Sequence, residues 1–126
     1  MSLIEVAVDG LGLVDDNPAN TTTVMVNPAC LPSLKSKAEG KGIYKEKLDF
    51  IIMSGSGISP SCVLVAPVMD SIDPTAMKDK ADGELVMRKG DMVTVNANGQ
   101  APNGDSCPLV FIIKIDDAGQ TKVKGQ

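Results

Sequence analysis

The side chains able to carry chemistry in this chain are few. They are three cysteines, Cys30, Cys62 and Cys107, two adjacent carboxylate pairs, Asp15-Asp16 and Asp116-Asp117, and lysines grouped in LKSKAEG (34–40), MKDKADG (77–83) and TKVKGQ (121–126). There is no histidine. That removes the commonest general base and the commonest zinc ligand, so neither a Ser-His-Asp nor a Cys-His relay can be assembled. The cysteines lack CxxC spacing and each starts or borders an apolar stretch, which suits free, buried and inert thiols made in a reducing cytoplasm. Two alternatives stay open: a disulfide between two of the three, or a soft-metal site where all three meet, one ligand short of a tetrahedron. Each carboxylate pair stands beside turn residues, where a solvated loop accounts for it.

Other candidate motifs fail on their neighbours. GSGISPS (55–61) has the glycines of a phosphate loop but neither the following Lys-Ser/Thr nor a helix to cap, and GLGLVDDNPAN (10–20) does not match a dinucleotide fingerprint. Asn20-Thr21-Thr22 fits a glycosylation acceptor, but MSLIEVAVDG (1–10) has no basic stretch leading into an apolar one, so no secretory signal is expected. The seven methionines are scattered and read as core filler. No catalytic, cofactor-binding or metal-ligating residue is assigned, and the chain reads as a non-enzyme.

The elements that must hold these residues are strands. With 126 residues the chain fits one compact domain. Hydrophobic residues make up 43% and aromatics only 2%, so the core is aliphatic; 12 glycines and 8 prolines imply many short elements. Twelve basic against sixteen acidic side chains give a net charge of −4, with lysines interleaved among Asp and Glu, which argues against a nucleic-acid partner. No apolar run approaches the ~20 residues of a membrane span.

LIEVAV (3–8) alternates and ends at the turn pair Asp9-Gly10; TTTVMV (21–26) is β-branched and closed by Asn27-Pro28. GIYKEKLDFIIM (42–53) reads as a longer strand bent near Lys47, and SGSGISPS (54–61) as a loop. CVLVAPVM (62–69) is a strand interrupted by Pro67, ELVMRKGDMVTVNA (84–97) two strands broken at Gly90-Asp91, NGQAPNGDS (98–106) a loop, and CPLVFIIKI (107–115) the most apolar strand. One short helix is the most the chain allows, over Asp73–Asp82 with Asp73 as N-cap and Pro74 in the first turn. The expected class is all-β.

The lysine segments also mark a repeat. Lys35, Lys37, Ala38, Glu39 and Gly40 match Lys78, Lys80, Ala81, Asp82 and Gly83 at an offset of 43, and Lys122 follows Lys78 by 44. The register runs on through Ile43 and Val86 and through Lys45 and Arg88; with one residue gapped, Gly57 and Pro60 fall on Gly99 and Pro102 at an offset of 42. A Ser-Cys pair follows each loop (Ser61-Cys62 and Ser106-Cys107), and Ile72-Asp73 matches Ile115-Asp116. A truncated copy precedes them. The chain therefore reads as two and a half to three pseudo-repeats of about 43 residues, none able to bury its apolar face alone. Lys-x-Lys then serves as a guard against edge-to-edge pairing, and Gly40, Gly83 and Gly90 as turn glycines.

TTTVMVNPACLP is similar to the V-x-V-N-G-x-P strand-turn element, and VMRKGDMVTVN to the x-x-x-G-D-x-V element, of the PAAR-like spike-tip proteins of phage tails and contractile injection systems; IDDAGQTKVKGQ resembles their tails. The resemblance implies a rigid β cone or prism seated on a trimeric spike. Zinc-binding members use His and Cys, so a tip lacking His is held by packing or some other site, and Asn27-Pro28 lacks the family's glycine. The expected function is that of a structural component of a phage tail or tail-like injection machine, made in the cytoplasm, assembled into the particle and docked on trimeric spike or baseplate subunits. A homotrimeric capsid-decoration or surface-binding module is the alternative.

Overall fold

The computed structural model describes residues 4–18, 20–33, 35–38, 40–57, 62–75, 80–81, 84–120 and 124–125. It is all-β. The strands are β1 (Ile4–Glu5), β2 (Gly12–Asp15), β3 (Asn20–Val26), β4 (Lys37–Ala38), β5 (Lys41–Gly42), β6 (Leu48–Gly57), β7 (Cys62–Leu64), β8 (Val68–Ile72), β9 (Lys80–Ala81), β10 (Glu84–Leu85), β11 (Met92–Gln100), β12 (Ser106–Asp117) and β13 (Lys124–Gly125). Among the described residues there is no helix. The helix expected over Asp73–Asp82 is not formed at either described end: Asp73–Thr75 is irregular and Lys80–Ala81 is a strand paired with β10. Residues 76–79 and 82 of that segment lie outside the described residues, as do Glu39, Pro60, Ser61, Lys78, Asp82, Gly83 and Lys122 of the repeat.

Seven strands form one antiparallel sheet in the order β2-β12-β11-β7-β6-β3, with β8 continuing beside β6. The sheet curls into a nearly closed barrel, bringing its two ends, β2 and β3, side by side. Period-2 alternation makes the curl favourable. Along β12 the even-against-odd pattern buries Cys107, Leu109, Phe111, Ile113 and Ile115, and β6 buries Leu48, Phe50 and Ile52. With few aromatics to fill it, the interior closes around Phe50 and Phe111, both fully buried. Curling sets the two end strands against each other, which shields their edges from pairing with another chain.

Breaks fall where backbone chemistry requires them. Pro67 separates β7 from β8, since it has no N–H to give a ladder. Gly90 (φ 93°) separates Arg88 from β11. The stretch from Gly42 to Met53 is interrupted at Glu46-Lys47, as the expected bend near Lys47 requires, and Glu46 takes φ 70°. Two stretches expected as loops are partly strand: Ser54–Gly57 continues β6, and Asn98–Gln100 continues β11.

Candidate functional site

Two features distinguish the barrel. The first is a ring at one end. Val6–Val8, Ile43–Lys45 and Val86–Arg88 each pair with the other two through the bridges Val6↔Arg88, Val8↔Ile43 and Lys45↔Val86. Their central residues close a cycle of backbone hydrogen bonds. Ala7 N donates to Met87 O at 2.8 Å, Met87 N to Tyr44 O at 2.9 Å, and Tyr44 N to Ala7 O at 3.0 Å. Alternation splits the side chains. Ala7, Tyr44 and Met87 belong to the barrel core, whereas Val6, Val8, Ile43 and Val86 form a second buried cluster with Ala38. Three two-stranded ribbons accompany the ring, β1 with β13, β4 with β5 and β9 with β10. The lysine segments supply one strand of each: Lys37 pairs with Gly42, Lys80 with Leu85 and Lys124 with Glu5. They thus lie within paired ribbons, and Gly40 takes φ 78° in its turn.

The second feature is the seam. β2 pairs only with β12 and β3 only with β6, so no ladder joins β2 to β3. Asp15 bridges them instead. Its carboxylate accepts hydrogen bonds from Thr22 Oγ1 (2.7 Å) and Asn20 Nδ2 (2.9 Å) on β3, from Ile112 N on β12 (2.9 Å) and from Asn17 N (3.0 Å). Burial pushes the Asp15 pKa up, but these four donors favour the charged form and hold it below the usual carboxylate value. The solvated loop expected for Asp15-Asp16 is therefore incorrect for Asp15, which is a half-buried clasp; Asp16 pairs with Lys114 at 3.3 Å. Nothing in GLVDD alone announces this, because Thr22 and Ile112 reach Asp15 only after the barrel has curled. Asp116-Asp117 ends β12, exposed, with Asp117 accepting from Gly119 N.

The cysteines divide. Cys62 and Cys107 are joined by a disulfide, so the expectation of three free thiols fails for these two. Cys62 faces Gly57 on β6 and Cys107 faces Gly99 on β11, and both are buried in the barrel core. Cys30 is a free, partly buried thiol whose Sγ accepts from Asp49 N at 3.4 Å, and burial raises its pKa. The three therefore do not converge as a metal site, and among the described residues no cluster of His, Cys, Asp or Glu could hold a metal.

A candidate contact surface lies on the outer wall. Met25, Ile51 and Met69 are register partners across β3, β6 and β8 and make a lateral apolar row, with Met25 43% and Met69 70% exposed. No helix among the described residues is long and apolar enough to cross a membrane. The fold and ring define the class: a small disulfide-containing antiparallel β-barrel closed at one end by three chain segments. No family model, curated protein or solved structure matches the chain.

Proposed function

We propose that this chain is a non-enzymatic structural cap built as three pseudo-equivalent β units, which docks on a trimeric spike or baseplate of a phage tail or tail-like injection machine. The observation that carries the reading is the hydrogen-bonded cycle of Ala7, Tyr44 and Met87. Each member stands at the start of one unit and is followed by its strands: β2 and β3, which meet at the seam without a ladder, then β6 paired with β7 and β8, then β11 paired with β12. Between units the pairing is cyclic as well, β3 with β6, β7 with β11 and β12 with β2. A single chain with this arrangement presents three similar faces, the geometry needed to seat one copy on a threefold partner. Rigidity comes from the three ladders between units, the Asp15 clasp at the seam and the aliphatic core, and no catalytic constellation is required.

The test is stoichiometry. Mixed with the trimeric spike subunit encoded beside it, the chain is expected to give a complex of one copy per trimer in native mass spectrometry. Failure to bind any spike or baseplate subunit from its own gene cluster overturns the reading. Exposed Met25 and Met69, flanking the partly buried Ile51, favour a second reading, a homotrimeric decoration module, because solvent-facing methionines suit adaptable protein contacts. A stable homotrimer of the isolated chain selects it.

A further inference from the structure

Cys62 and Cys107 sit inside the barrel, 2% and 7% exposed, beside the tips of two neighbouring hairpins. β7 and β12 are not ladder neighbours, since β11 runs between them. Strands separated by one other normally stand ~9–10 Å apart, yet the Cα atoms of Cys62 and Cys107 are 6.1 Å apart. On β11, Gly99 faces Cys107 on β12 and Leu64 on β7. A Cβ there would lie 2.7 Å from Cys62 Sγ and from Val63 O and 2.8 Å from Leu109 Cδ1, so the Cys62 sulfur occupies space left by the missing side chain of Gly99.

We propose that Cys62 and Cys107 form a redox-dependent staple: two thiols while the chain folds in a reducing compartment, one disulfide after it reaches an oxidising one, closing the hairpin-tip end of an already formed barrel. The fold does not depend on the bond, because β11 and β12 stay in register from Met92↔Lys114 to Gln100↔Ser106 and β6 pairs with β3, β7 and β8. In the disulfide form Cys62 Sγ lies 3.4 Å from Cys107 O, a distance at which the S–H of the reduced form would have an acceptor. The β2–β3 tip has no cysteine and is drawn together by Asp15 instead. The oxidant is a low-molecular-weight disulfide such as oxidised glutathione. A Cys62 thiolate, its proton released to solvent, attacks it and expels one reduced thiol; Cys107 then attacks the mixed disulfide, loses its proton and expels the second. This inference is independent of the docking function.

The test uses the full chain, prepared under reduction and then exposed to oxidised glutathione, with free thiols trapped by iodoacetamide before peptide mapping. The staple predicts a Cys62–Cys107 cross-linked peptide, Cys30 alone alkylated, and the same far-UV circular dichroism before and after oxidation. The melting temperature should fall by about 10 °C on reduction, while a C62A/C107A variant shows no response to reductant. Two results overturn it: a folded chain that stays fully reduced in oxidised glutathione, or a reduced wild-type chain that is unfolded, which makes the bond obligatory. Introducing G99A, which fills the space beside Cys62, should slow cross-linking of the reduced folded chain at least tenfold; an unchanged rate also counts against the staple.

Discussion

Asp15 on β2 accepts a hydrogen bond from Thr22 Oγ1 on β3 at 2.7 Å, across the junction of the barrel where the two neighbouring strands share no ladder. Side-chain hydrogen bonds there replace backbone ones. Because the folded carboxyl has a lowered pKa, its contribution is fully present above the unfolded value of about 4 and is lost as pH falls through the folded value. Wild-type stability should therefore decline below about pH 4, and D15N should flatten that part of the profile. At pH 7 D15N should cost about 1–2 kcal/mol, the lower range for a charged hydrogen-bonded group because the site is half exposed. Urea melts of both proteins across pH 2.5–7 (about the carboxylate range) check it, and parallel profiles count against the clasp.

Gly55 meets Phe111. A Cβ on Gly55 would stand 2.6 Å from Phe111 Cε1, so the ring of β12 lies directly over the backbone of β6. G55A should destabilise by about 1–3 kcal/mol through overpacking, and F111A by about 3–5 kcal/mol through the cavity it leaves. Combined, the two should cost less than their sum, since alanine at 55 partly occupies the space the ring vacates. Chemical denaturation of the two singles and the double decides this.

These contacts show what the sequence can and cannot declare. The breaks at Pro67 and Gly90 are local, set by a missing N–H and a positive φ, and both can be read from neighbouring residues. Ser54–Gly57 misleads, since serine and glycine suggest a loop, whereas β6 continues there because Phe111 needs a residue with no side chain. The same holds for Asp15, whose partners come from residues 17–22 and from Ile112 far along the chain, and for Cys62 and Cys107, whose meeting depends on barrel curvature that no spacing rule contains. The lysine segments lie between these cases. Their recurrence is visible in the sequence, but their pairing into ribbons is a tertiary fact.

Glu46 occupies a tight turn with φ 70°, closed by Lys47 N donating to Lys45 O at 2.8 Å. The corresponding turns after Val8 and Arg88 place glycine at the positive φ, Gly10 at 96° and Gly90 at 93°. A residue with a Cβ is strained in this region by about 1–2 kcal/mol, while glycine loses more entropy on folding, roughly 0.5–1 kcal/mol. E46G should thus be neutral to stabilising by about 1 kcal/mol, the net of those terms. G90A should destabilise by about 1–2 kcal/mol. Opposite signs for two glycine–non-glycine exchanges, read by thermal denaturation, are the expected result; a clear loss of stability in E46G contradicts the turn geometry.

The ring itself can be tested by exchanging volume across it. Ala7 and Met87 are hydrogen-bonded to each other through their backbones, and both side chains are fully buried in one cluster. A7M adds bulk where the third segment brings Tyr44 and should cost about 1–3 kcal/mol; M87A empties the same region and should cost about 2–5 kcal/mol. If the three segments surround a common interior, A7M/M87A restores the total volume. It should then be at least ~1 kcal/mol more stable than the sum of the single effects predicts. Additive effects mean the two side chains occupy separate spaces within the core.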